Sequence, residues 1–146
     1  MKVLNNHLQE DDIATPKYFH IYTDGGPEKW AFVVVMDNKI IHEESGVFGI
    51  SASTSNDDTE SEGVFRAVLY AKENPGNYIL TTDSQAILAK VNGNVENATK
   101  NPNIKGIQTL LKNFKDSPLP ISFSIKWEKR ISNEFMKRAD ALCREL

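Results

Sequence analysis

The chain has 146 residues, 40% of them hydrophobic and 25% charged, with a formal net charge of -3. Those proportions fit one globular domain with a sizeable core and exclude a disordered or fibrous chain. The acidic balance excludes an architectural nucleic-acid binder, whose affinity rests on many Lys and Arg contacts to phosphate.

Residues 1–17 are polar, run through an acidic stretch and end at Thr15-Pro16, which reads as a lead-in to a single domain over 18–146. The opening MKVLNNHLQEDD lacks the basic-then-apolar build of a secretory signal, and no apolar run is long enough to span a bilayer. A cytoplasmic protein without membrane contact is expected. From Tyr18, YFHIYTDGG alternates aromatic and β-branched residues with polar ones and breaks at Gly25-Gly26-Pro27, which predicts a strand ending at Asp24. Trp30 to Met36 is a continuous apolar run, the pattern of a central strand covered on both faces. Asp37-Asn38 is a turn, and Lys39 to Glu44 returns as a third antiparallel strand.

Gly49 to Asp58 is rich in Ser, Thr, Asn and Asp and reads as a loop delivering a helix N-terminus. The helix that follows carries Val64, Ala67, Val68 and Ala71 on one face and stops at Asn74-Pro75-Gly76. Tyr78 to Thr82 is a short strand ending at Asp83, after which Ser84 caps a helix to about Val91. Beyond an Asn-rich loop, Ile104 to Phe114 has helical spacing at Ile107, Leu110, Leu111 and Phe114. Ile121 to Trp127 alternates as a strand, and the last helix starts near Ser132. Its apolar side holds Phe135, Met136, Ala139, Leu142 and Cys143. Cys143 is the only cysteine, so an internal disulfide or a cysteine-based metal site is not expected. The element order β-β-β-α-β-α-α-β-α implies an α/β fold with a mixed sheet.

Four acids carry the chemistry. Asp24 and Asp83 end strands that must be neighbours, Glu60 opens the helix leading between them, and Asp140 lies mid-helix at the border of an apolar stripe. Each alone has a plain structural reading: a turn or cap for the strand-end acids, a helix-dipole preference for Glu60, an i,i+4 pair with Arg144 for Asp140. Carboxylates converging from four elements are what a pair of hard divalent cations needs.

Together, Thr23-Asp24-Gly25, Ser55-Asn56-Asp57-Asp58-Thr59-Glu60, Thr82-Asp83-Ser84-Gln85 and Ala139-Asp140-Ala141-Leu142 resemble ribonuclease H of type 1, over residues 18 to 146. The resemblance implies the ribonuclease H-like fold, a five-stranded mixed sheet of three antiparallel then parallel strands with helices on both faces. It implies an endonuclease that hydrolyses the RNA strand of RNA/DNA hybrids by a two-metal-ion mechanism, with two Mg²⁺ ions for which Mn²⁺ can substitute. Asp24, Glu60, Asp83 and Asp140 are the implied catalytic and metal-binding residues, Asp24 bridging. Glu60 is chosen over Glu62 because Gly63 and Ala67 follow it at three and seven positions, as in the family's first helix. Gly25, Asn56, Ser84, Gln85, Arg130 and Asn133 match positions that contact the hybrid, and a monomer is expected.

The chain departs from the family in several places. Asp57 stands where a second Asn is common, and the loop after Asp24 is short. No histidine lies between the last strand and last helix; Arg130 with Asn133 resembles an R-x-x-N variant instead, with Asp140 one helical turn further on than that variant places it. Glu134 is the fallback ligand. Lysines in residues 92–117 are scattered, so the basic extra helix of some members is missing. These departures leave open a non-catalytic nucleic-acid-binding domain, or a related nuclease or resolvase acting on another substrate.

Overall fold

The computed structural model describes residues 17–47, 56–93, 102–129 and 133–144. The expected lead-in over 1–17 therefore lies outside the described residues, apart from Lys17. Strands β1 (Phe19–Gly25), β2 (Lys29–Met36) and β3 (Lys39–Val47) are followed by helix α1 (Asn56–Glu73) and strand β4 (Asn77–Thr82). Helices α2 (Gln85–Asn92) and α3 (Pro102–Lys115), strand β5 (Ser122–Trp127) and helix α4 (Glu134–Arg144) complete the order. The five strands form one sheet in the order β3-β2-β1-β4-β5, antiparallel from β3 to β1 and parallel from β1 to β5.

Most boundaries fall within a residue or two of the sequence pattern. Helix α1 begins at Asn56, inside the stretch expected as loop to Asp58, and two other boundaries differ for physical reasons. Strand β3 continues to Val47 because its ladder with β2 runs on to Lys29↔Val47. Helix α4 starts at Glu134, later than expected, because the Asn133 side chain ends the approach: its Oδ1 accepts from the backbone N–H groups of Phe135 and Met136, both at 2.9 Å. The β2–β3 turn uses Asp37 and Asn38 at φ 53° and 65°, a pair of left-handed residues that matches the twist of a two-residue hairpin.

The apolar run of β2 is continuous because both its faces are covered. Trp30, Phe32 and Val34 join Ile21, Leu80 and the inner faces of α1 to α3 in the larger core. Ala31, Val33 and Val35 point the other way, to Leu142 and Cys143 of α4. Helices thus cover both faces, and among the described residues α4 alone covers the second. Tyr22 stacks on Phe135 at 5.7 Å between ring centroids, adding an aromatic contact to that face. Among the described residues no helix is long and apolar enough to cross a membrane.

Helix α4 is also fastened to the sheet edge by charge. Arg138 grips Glu43 of β3 with Nε to Oε2 at 2.7 Å and Nη2 to Oε1 at 3.0 Å. This fork lowers the Glu43 carboxyl below its ordinary value, the hydrogen bond from Arg138 outweighing partial burial. A lowered folded-state pKa contributes stability that is complete above the ordinary carboxylate range and lost as the pH falls through the lowered value. Glu43→Gln should therefore melt below wild type near neutral pH, and the difference should close as the pH falls through the lowered value of Glu43. Glu43 and Arg138 side chains are 30% and 39% exposed, so the neutral-pH difference should be small, about 1 kcal/mol or less. Parallel thermal melts of the two proteins across that range check it.

Candidate active site

The register between β1 and β4 builds the site. The two strands run parallel with Thr23 paired to Thr82, so the next residues, Asp24, still paired to Ala31 of β2, and Asp83, just past the end of β4, come side by side at the same end of the sheet. Alternation along β1 turns Ile21, Thr23 and Gly25 toward α1 and Tyr22 and Asp24 toward α4. Asp24 is 2% exposed, and its Oδ1 accepts from the Gly25 N–H at 2.8 Å.

Glu60 arrives because α1 packs against the end of β1 without room to spare. A Cβ on Gly25 would meet the Glu60 nitrogen at 2.5 Å and its Cγ at 2.7 Å. Beside it, the buried Thr59 hydroxyl donates to the Gly26 carbonyl at 2.6 Å, tying the first turns of α1 to the loop after Asp24. Glu62, two residues on, points elsewhere: it pairs with Arg66 and accepts from Asn103 at 3.1 Å, linking α1 to α3.

One ligand oxygen from each of Asp24, Glu60 and Asp83 lies within 4.8 Å of the other two. Asp24 belongs to a second group of the same tightness, with Asp140 and Cys143. Asp140 also pairs with Arg144, whose Nε lies 3.2 Å from Oδ1 and 3.1 Å from Oδ2. The i,i+4 ion pair and the approach to Asp24 thus coexist, and the extra helical turn leaves Asp140 on the face that meets β1. Glu134, the fallback, is exposed and in neither group.

Cys143, which the sequence keeps in the apolar stripe and away from any metal site, is buried in that stripe and also lies in reach of Asp24 and Asp140. It lies one turn after Asp140, a spacing that puts two side chains on one helix face and was the available signal. Burial first, then the charges of Asp24 and Asp140, push its thiol up to about 12. It is a neutral thiol, donating to the Asp140 carbonyl at 3.2 Å.

The residues expected to touch substrate are placed unevenly. Gln85 is exposed on the first turn of α2. Ser84 caps α2, its Oγ accepting from the Ile87 N–H at 3.1 Å. Asn133 caps α4 in the same way, so its carbonyl oxygen is engaged within the chain. The Gly25 N–H donates to Asp24, and that of Gly26 to the Lys29 carbonyl at 2.8 Å. Arg130 and the side chain of Asn56 lie outside the described residues.

No protein-family model matches the chain, and no curated protein does. Solved structures do. The RNase H1 of the halophilic archaeon Halobacterium salinarum NRC-1 superposes with a TM-score of 0.65 at 22% identity, covering 86% of this chain and 93% of that one. LC11-RNase H1, isolated from compost by a metagenomic approach and solved in complex with an RNA/DNA hybrid, gives 0.66 at 20% identity, covering 85% and 92%. The N-terminal RNase H domain of a Mycobacterium tuberculosis protein gives 0.64 at 16%, covering 88% and 97%. At these identities the likeness establishes the ribonuclease H-like fold.

Proposed function

We propose that this chain is a metal-dependent endonuclease that hydrolyses the RNA strand of RNA/DNA hybrids. The observation that carries the reading is the position of Asp24, whose carboxylate is within ligand distance of one group completed by Glu60 and Asp83 and another containing Asp140. It occurs in a fold shared with an RNase H1 solved on a hybrid.

The donor set fits hard divalent cations. Four carboxylates supply charged oxygens, the donors Mg²⁺ and Mn²⁺ take, while the one sulfur in reach is held as a neutral thiol. Two such ions, when bound, supply a water of lowered pKa and charge stabilisation at the leaving oxygen. The protein's part is placement. Asp24 is fixed by burial and by its Gly25 hydrogen bond, so its carboxylate serves both groups without reorienting. Arg144 steadies Asp140, and Thr59 steadies the turn that presents Glu60. Gln85 at the open end of α2, with Ser84 and Asn133 at the same end of the sheet, would meet the hybrid where the 2′-hydroxyl marks the RNA strand, and by the family resemblance Gly25, Asn56 and Arg130 would join them. We expect a monomer working in the cytoplasm on this substrate.

The test is an end-labelled RNA/DNA hybrid beside double-stranded RNA, double-stranded DNA and single strands, with Mg²⁺ or Mn²⁺. Glu60→Gln should lower hybrid cleavage at least about a hundredfold, whereas Glu62→Gln should stay within about threefold of wild type, because Glu62 is engaged between α1 and α3. Hybrid left uncut under every metal condition would overturn the reading in favour of a binding domain, and cutting confined to DNA would point to a nuclease of another class.

A further inference from the structure

Resting on that reading, we propose that Trp127 is a positioning residue for Asp83. Asp83 lies one residue past the last pairs of β4 with its neighbours, Thr23↔Thr82 on one side and Thr82↔Trp127 on the other. The outermost main-chain bond there runs from the Glu128 N–H to the Thr82 carbonyl at 3.0 Å. Beyond it, the Asp83 carbonyl is taken by a side chain: the Trp127 indole Nε1–H donates to it at 3.1 Å.

A peptide unit is planar, so fixing the Asp83 carbonyl fixes the whole Asp83–Ser84 peptide and constrains the direction in which the Asp83 side chain leaves the chain. The far side of that peptide is already tied, since the Ser84 N–H donates to Thr82 Oγ1 at 3.1 Å and Ser84 Oγ caps α2. Trp127 closes the clamp from the neighbouring strand. Ordinary core packing does not explain the residue: Trp127 is 39% exposed at the end of an edge strand and belongs to neither core of the described residues. An indole can only donate, and the ligand-bearing turn offers the acceptor it uses. Groups that orient a metal ligand from outside the coordination sphere commonly change metal affinity by about ten- to a hundredfold when removed.

The test is Mn²⁺ binding to the full chain, read from the free-ion electron paramagnetic resonance signal, for wild type, Trp127→Phe, Trp127→Ala and Asp83→Asn. Thermal melts accompany each titration. Trp127→Phe keeps a ring and removes only the N–H. It should raise half-saturating Mn²⁺ about tenfold while the melting temperature stays within about 4 °C. Its hybrid-cleavage rate should fall at limiting Mg²⁺ and recover at saturating Mg²⁺, a split that a general loss of structure would not produce. A wild-type midpoint in Trp127→Phe overturns the proposal, as does a shift seen only in Trp127→Ala, which would assign the effect to ring cover. Mn²⁺ binding with the expected shift, in a protein that never cuts hybrid, would leave Trp127 assigned and remove the substrate reading instead.

Discussion

Asp24→Asn should abolish metal-dependent cleavage, lowering the rate at least about a thousandfold, on the order of 4 kcal/mol of activation free energy. The reason is topological as much as chemical. Among the described residues, Asp24 is the one common to both candidate metal groups, so one neutralised carboxylate weakens both, whereas Glu60, Asp83 or Asp140 each touches one. The substitution should cost little stability: an Asn oxygen can accept the Gly25 N–H as Asp24 Oδ1 does, and removing a buried negative charge beside other acids relieves repulsion. Asp24→Asn should therefore melt at or above the wild-type temperature while binding Mn²⁺ far more weakly. A variant that cleaves hybrid within tenfold of wild type would show that the shared carboxylate is not the hub of the site. Asp140→Asn is expected to be milder, because the group built on Asp24, Glu60 and Asp83 is left whole.

The second large effect is steric. Gly25→Ala puts a methyl 2.5 Å from the Glu60 nitrogen and 2.7 Å from both Glu60 Cγ and Thr59 Oγ1. The nearest obstacle is backbone, so a rotamer change cannot relieve it and the start of α1 must move off β1. Overpacking that displaces backbone costs about 3 kcal/mol, or about 10 °C in melting temperature for a chain of this size. The displaced turn carries Glu60, and a misplacement near 1 Å costs about a hundredfold in rate. Gly63→Ala, on the same helix, is the control. Its added Cβ would meet the Ala31 and Asp24 backbone carbonyls at 3.3 and 3.4 Å, tight contacts that call for a shift of a few tenths of an ångström where Gly25→Ala forces a larger displacement. Melts and hybrid cleavage of the pair should separate sharply; equal behaviour would mean that α1 is free to slide.

The strands were legible because their patterns are local. The two-sided apolar run of β2 announces a covered central strand, and Asp24 and Asp83 follow Thr residues at abrupt breaks in pattern. Glu60 was separable from Glu62 by the small residues spaced along its helix face, and the structure puts Glu60 beside Asp24 while Glu62 faces α3. Other features depend on tertiary register that no spacing rule encodes. That Asn133 and Ser84 spend side-chain oxygens on helix caps, and that the Gly25 N–H serves its own neighbour's carboxylate, follows from backbone direction at single peptides. The bond from Trp127 to the Asp83 carbonyl spans 44 positions and needs β4 and β5 already paired. Cys143 was half legible: its place in the apolar stripe was plain, but its approach to Asp24 depends on how deeply α4 seats against β1.

That seating gives the molecule an internal gauge. The chain's single thiol is buried on the inner face of α4, hydrogen-bonded to the Asp140 carbonyl and kept protonated first by that burial and then by the charges of Asp24 and Asp140. A reagent that attacks thiolate has almost none to meet while the helix is docked. The rate at which such a reagent consumes the native protein is then a clock for the lifting of α4, and with it for the fraction of time that Asp140 is withdrawn from Asp24. One unmodified side chain thereby converts an otherwise silent opening of the proposed metal-binding face into a colorimetric signal.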